Sequence, residues 1–132
     1  MFSAWDTINR NRRMEARYRT RLPASVSVVE SGIAESRWPS ILGYTRDVSR
    51  DGMALVIPTS RLGCYELGQG DHRLRIFLAI SAEVRVGMIV RLVHCGVFSE
   101  DEAEAGYLIG VKIEELGPED RLLYDEFIAS LH

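Results

Sequence analysis

What this chain can fold into is set chiefly by an alternation of residues with a period of two, which runs through four stretches and then gives way to a period near four. In residues 22–30, Leu22, Ala24, Val26 and Val28 alternate with Pro23, Ser25 and Ser27, the pattern of a strand with one buried face. Residues 41–47 and 53–57 read as two more short strands about a Ser-Arg-Asp-Gly turn, in which Gly52 can take a positive φ without steric cost. Pro58 stops the second of them. Leu74, Ile76, Leu78 and Ile80 alternate with Arg73, Arg75, Phe77 and Ala79, and a strand over 84–95 repeats the pattern with Val84, Val86, Met88, Val90 and Leu92 on one side. Tyr107, Ile109, Val111 and Ile113 share a face of a last strand over 107–113. Residues 58–72 and the hydrophilic 99–105 read as loops, the first with room for one helical turn.

The change of period marks a helix over 118–131. Gly117 is a tolerable N-cap, Pro118 suits the first helical position, and Glu119 and Asp120 favour the positive end of the helix dipole. Leu123, Phe127 and Leu131, with Tyr124 and Ile128 beside them, form an apolar stripe suited to packing on the sheet. The expected fold is all-β with one terminal helix, a six-stranded antiparallel β-barrel whose closure removes exposed strand edges. A chain of 132 residues can bury a sufficient core without disulfide staples, and no repeat or linker divides it. The expected organisation is an N-terminal extension over residues 1–11 followed by a single domain over 12–132. Phe2, Trp5 and Ile8 leave two readings of the extension, an amphipathic turn that docks or a frayed end.

Several function classes are disfavoured. Cys64 and Cys95 are the only cysteines, with no C-x-x-C and no secretion signal at the start, which points to a reducing cytoplasm. The longest strongly apolar stretch free of charge, from Ile76 to Ala82, is far short of the roughly 18 residues of a membrane span. Three histidines occur without H-E-x-x-H, G-x-S-x-G or a P-loop, so the chain is not expected to be an enzyme. His94 and Cys95, adjacent on a strand, point to opposite faces, and the acidic run at 100–104 lacks the glycine turn of a calcium loop. Neither a metal nor a cofactor is expected.

Charge narrows the field further. Residues 1–21 hold six arginines against Asp6 and Glu15, a local balance of +4, whereas from Glu100 onward ten carboxylates face only Lys112 and Arg121. Lys112 is the only lysine, and arginine is the cation suited to planar, bidentate contact with phosphate or a base edge. Such a basic arm suits an anion. Two clusters carry the chemistry. Arg12-Arg13-Met14-Glu15-Ala16-Arg17 is an R-R-x-x-x-R stretch just before the first strand, whose plain reading is a solvated arm. Asp47-Val48-Ser49-Arg50-Asp51-Gly52 is a D-x-S-x-x-G at a strand junction, whose plain reading is a turn closed by local Asp and Ser bonds.

Taken together, and about thirty residues apart, the two clusters resemble the signature of the PilZ domain family, an R-x-x-x-R arm followed by [D/N]-x-S-x-x-G. Arg17-Tyr18-Arg19-Thr20-Arg21-Leu22-Pro23 is similar to the family's approach to its first strand. Gly110-Val111-Lys112-Ile113, followed by Leu116 to Arg121, is similar to its last strand and terminal helix, with Gly117 where the family often has Ser. The resemblance covers roughly residues 12–131 and implies the same six-stranded barrel.

It also implies a receptor for cyclic di-GMP, acting as a noncatalytic ligand switch. The carried-over ligand-binding residues are Arg12, Arg13, Arg17, Asp47, Ser49 and Gly52. Arg13 and Arg17, with Arg12 in second rank, suit phosphate pairing, stacking and the guanine O6 and N7 acceptors. Asp47 suits the guanine N1 and N2 donors, Ser49 offers a small hydroxyl, and Gly52 keeps the turn tight. On this reading an arm that is mobile without ligand becomes ordered, and an unidentified effector protein reads the change. Two other readings stand beside it. One is a PilZ-like scaffold that binds no nucleotide and works through protein contact. The other is a single-stranded nucleic acid binder, against which stand the acidic body and the lack of an aromatic series. The sequence is silent on oligomeric state.

Overall fold

The computed structural model describes residues 16–99 and 105–131. Its strands are β1 (Tyr18–Arg19), β2 (Pro23–Val28), β3 (Ser40–Val48), β4 (Gly52–Ile57), β5 (Arg61–Leu62), β6 (Tyr65–Glu66), β7 (Arg73–Ala79), β8 (Arg85–Ser99) and β9 (Ala105–Glu115), followed by helix α1 (Pro118–Ser130). A 3₁₀ turn at Glu35–Arg37 lies between β2 and β3. The main sheet runs β1-β3-β2-β7-β8-β9-β4, and β3 also pairs with β4. That last pairing closes β3, β2, β7, β8, β9 and β4 into the expected six-stranded antiparallel barrel with one C-terminal helix.

The alternation explains the closure. Ala24, Val26 and Val28 of β2, Leu74, Ile76 and Leu78 of β7, Val86, Met88 and Val90 of β8, and Ile109 and Val111 of β9 all point inward and are buried. β4 supplies Met53, Leu55 and Ile57 to the same core. Truncating a core residue of this kind to alanine typically costs about 2–5 kcal/mol. No helix among the described residues is long and apolar enough to cross a membrane.

Four details differ from the sequence reading. Residues 58–72, read as loop, contain the β5–β6 hairpin, and Leu62 and Leu67 from this segment join the core. β8 continues to Ser99 and β9 begins at Ala105, so the hairpin arms are longer than the alternation suggested. β1 adds a short strand beside the end of β3. On α1 the buried residues are Tyr124 and Ile128, whereas Leu123 is 37% exposed. The helix therefore sits rotated by about one residue from the stripe expected through Leu123, with Phe127 and Leu131 at the margin of the core.

Candidate functional site

The site begins with a defect in a strand. β3 and β4 pair Thr45 with Leu55 and then Asp47 with Ala54, which leaves Arg46 as the extra residue of a bulge. Bulges re-aim side chains. Here Arg46 Nε donates to Asp47 Oδ2 at 3.1 Å, although neighbours on a regular strand face opposite ways. The other carboxylate oxygen is taken from the arm: Arg17 donates to Asp47 Oδ1 from Nε at 2.9 Å and from Nη2 at 2.6 Å. β1 brings the arm there, because Arg19 pairs with Asp47 and Tyr18 with Val48. Thr45 ties down the segment between β1 and β2, its Oγ1 accepting from Leu22 N at 2.9 Å and donating to Thr20 O at 2.5 Å.

Asp47 is only 7% exposed, so its charge requires these partners. The side chains of Arg17 and Arg46 remain 37% and 32% exposed and carry one more positive charge than the carboxylate between them neutralises. The arrangement therefore presents a cationic edge to solvent beside a carboxylate that already accepts from planar N–H donors.

The turn that follows is fixed from three sides. Ser49 donates to Gly52 O from both its backbone N, at 2.8 Å, and its Oγ, at 3.2 Å. Ile113 N of β9 donates to Asp51 O at 2.7 Å. From α1, Tyr124 OH donates to Ser49 O at 2.5 Å, and Arg121 Nη1 reaches Arg50 O at 3.4 Å. Burial pushes the Tyr124 hydroxyl well above the ordinary tyrosine range, which keeps it protonated and donating. Gly52 contributes differently from the sequence reading. It does not adopt a positive φ. A Cβ at this position would lie 2.3 Å from Val111 O, so glycine is needed because the backbones of β4 and β9 approach closely, not because of the turn dihedral.

Of the six residues singled out from the sequence, Arg17, Asp47, Ser49 and Gly52 fall in this one region, the first two in direct contact. Arg12 and Arg13 lie outside the described residues. Arg46 and Tyr124 were not foreseen. A bulge has no clear mark in apolar alternation, and Tyr124 read only as part of a helical stripe. Among the described residues no group of three or more His, Cys, Asp or Glu side chains is placed to hold a metal ion.

Comparison with known proteins bears on this geometry. The family model of the PilZ domain matches residues 11–130. The fold is similar to the PilZ domain with c-di-GMP of YcgR from Escherichia coli, with a TM-score of 0.65, 15% identity, and 91% of each chain covered. It is also similar to MrkH from K. pneumonia in its c-di-GMP complex, at a TM-score of 0.66 and 18% identity over 89% of this chain. The Bacillus subtilis inhibitor of motility MotI/DgrA gives a TM-score of 0.60 and 16% identity over 90% of this chain. The matched region is about half of each of these last two, 51% and 50% respectively. No curated protein matches the chain.

Proposed function

This chain belongs to the PilZ domain family, and we propose that it is a receptor for cyclic di-GMP that acts as a noncatalytic ligand switch. The observation that carries the reading is the contact between Arg17 and Asp47, at 2.6 Å across thirty residues of sequence, because it joins the R-x-x-x-R arm to the D-x-S-x-x-G turn. Two similar folds, from YcgR and MrkH, have c-di-GMP bound.

In this mechanism the guanine N1 and N2 donors take the place of a guanidinium on Asp47, and Arg17 turns to the guanine O6 and N7 edge or to a phosphate. Arg13, with Arg12, supplies further cationic contacts. The Ser49 hydroxyl, now bonded to Gly52 O, supplies a polar contact at the turn. Exchange of ion partners at Asp47 changes the position of the arm, and a partner protein reads that change. The reading carries a bacterial cytoplasmic setting, in keeping with the free thiols of Cys64 and Cys95.

One observation favours the scaffold reading: both Asp47 oxygens already have guanidinium partners, so the pair could serve structure alone. Titration calorimetry separates the two. Cyclic di-GMP should bind the intact protein saturably, and Arg17→Ala and Asp47→Ala should each weaken binding by about tenfold or more, the scale of one bidentate contact. Absence of binding heat with intact, folded protein overturns the receptor reading.

A further inference from the structure

The outer face of β3, β2, β7 and the start of β8 has a composition that barrel closure does not require. Ser25 of β2 pairs with Leu42 on one side and with Phe77 on the other, and Phe77 in turn pairs with Gly87. These residues face outward, because their strand neighbours Ala24, Val26, Ile76 and Leu78 fill the core. The Phe77 ring lies across Gly87, where a Cβ would come within 2.8 Å of it. The small Ser25 is thus left between two large apolar walls, one of which, Leu42, is 75% exposed. The result is an open groove of about 390 Å³ lined by Pro23, Ser25, Leu42, Phe77, Ala79 and Arg85.

The rim gives the groove a sign. Arg85 lies over the Phe77 ring at 4.8 Å from its centroid. At the opposite margin Arg21 lies over Tyr44 at 3.9 Å, and Tyr44 pairs with the groove residue Pro23. Neither guanidinium has a carboxylate within ion-pair distance among the described residues. Arg75, also near Phe77, is different, since its Nε lies 2.8 Å from Glu35 Oε1 in an off-axis charge contact. Stacking holds a guanidinium in place by its face and leaves its N–H edge to a further partner. An apolar trough with ring-stacked cations at both margins, unpaired with any carboxylate of the described residues, complements an apolar side chain flanked by carboxylates.

We propose that this groove is a docking site for a partner protein, which inserts a leucine-like or phenylalanine-like side chain between Leu42 and Phe77 and sets acidic residues against Arg21 and Arg85. It is separate from the Arg17–Asp47 contact and does not depend on nucleotide binding.

The test is selection of a random twelve-residue peptide library on the intact protein, followed by fluorescence polarisation with the best synthesised peptide. The expected sequences carry a large apolar residue with Asp or Glu within three positions on either side. Binding should weaken about tenfold or more with Leu42→Ser and with Arg85→Glu, and persist in Asp47→Ala. Leu42 and Arg85 are exposed, so circular dichroism should show both variants folded. Peptides without carboxylates, binding indifferent to Leu42→Ser and Arg85→Glu, or no enrichment over an unrelated protein would each overturn the proposal. So would gel filtration showing a dimer that Leu42→Ser dissolves, because the occupant would then be a second copy.

Discussion

At the end of β3 two guanidinium groups are held by the buried carboxylate of Asp47, while around Leu42 and Tyr44 on the same strand those of Arg21 and Arg85 lie on aromatic rings, with no ion pair to a carboxylate among the described residues. The first arrangement is tied to the fold: a bulge, a backbone contact too close for a Cβ, and a hydrogen bond from the helix all meet at residues 46–52. The second rests on the barrel without being needed by it. Arginine serves the architecture at the first place and is available to something outside at the second.

Substitutions can break that comparison, and the largest effect belongs to Gly52→Val. Its side chain would meet Val111 O at 2.3 Å, and separating β4 from β9 should cost about 3–4 kcal/mol in urea denaturation. A loss below about 1 kcal/mol would mean that the contact is easily relieved. Asp47→Ala comes next, at about 2 kcal/mol. The figure is set below that of a fully buried pair because both guanidiniums keep about a third of their surface in solvent.

Tyr124→Phe removes the hydroxyl that satisfies Ser49 O and should cost about 1 kcal/mol. It also has a pH signature. Because burial raises the Tyr124 pKa in the folded state, its contribution is complete below the ordinary tyrosine value of about 10 and is lost as pH rises beyond it. Stability should therefore fall on the alkaline side in the parent protein and fall less steeply in Tyr124→Phe. The smallest effect is expected at the groove, where Arg85→Ala should change stability by no more than about 0.5 kcal/mol. A large loss there would erase the distinction between the two regions.

Much of this was legible in the sequence, for a physical reason. Four alternating stretches must each hide one face, the short apolar run at 53–57 is buried on both, and the antiparallel barrel accommodates them together. Ser49 was legible as a turn residue, whereas Gly52 stood out for a turn dihedral that it does not adopt and Asp47 for local bonds in place of its contacts with Arg17 and Arg46. Other features were not. Arg46 contacts Asp47 at a bulge, whose extra residue brings Ile41 and Val48 to the core although they are seven residues apart, and a stretch with so few apolar residues does not reveal that change of phase. The β5–β6 strands are two residues long and carry no period, although Gly63, at φ 59°, begins the two-residue turn between them. The helix phase depends on Tyr124 seating its hydroxyl against Ser49, a contact across 75 residues that local spacing does not encode.

On the proposed function, the Arg17–Asp47 region, and not the outer groove, receives the nucleotide. Amide NMR spectra recorded while cyclic di-GMP is added test it most directly. Saturable shifts are expected at Arg17 and across residues 46–52, with Ser25, Leu42 and Phe77 unmoved. Spectra that do not change, or shifts confined to the groove residues, would contradict it.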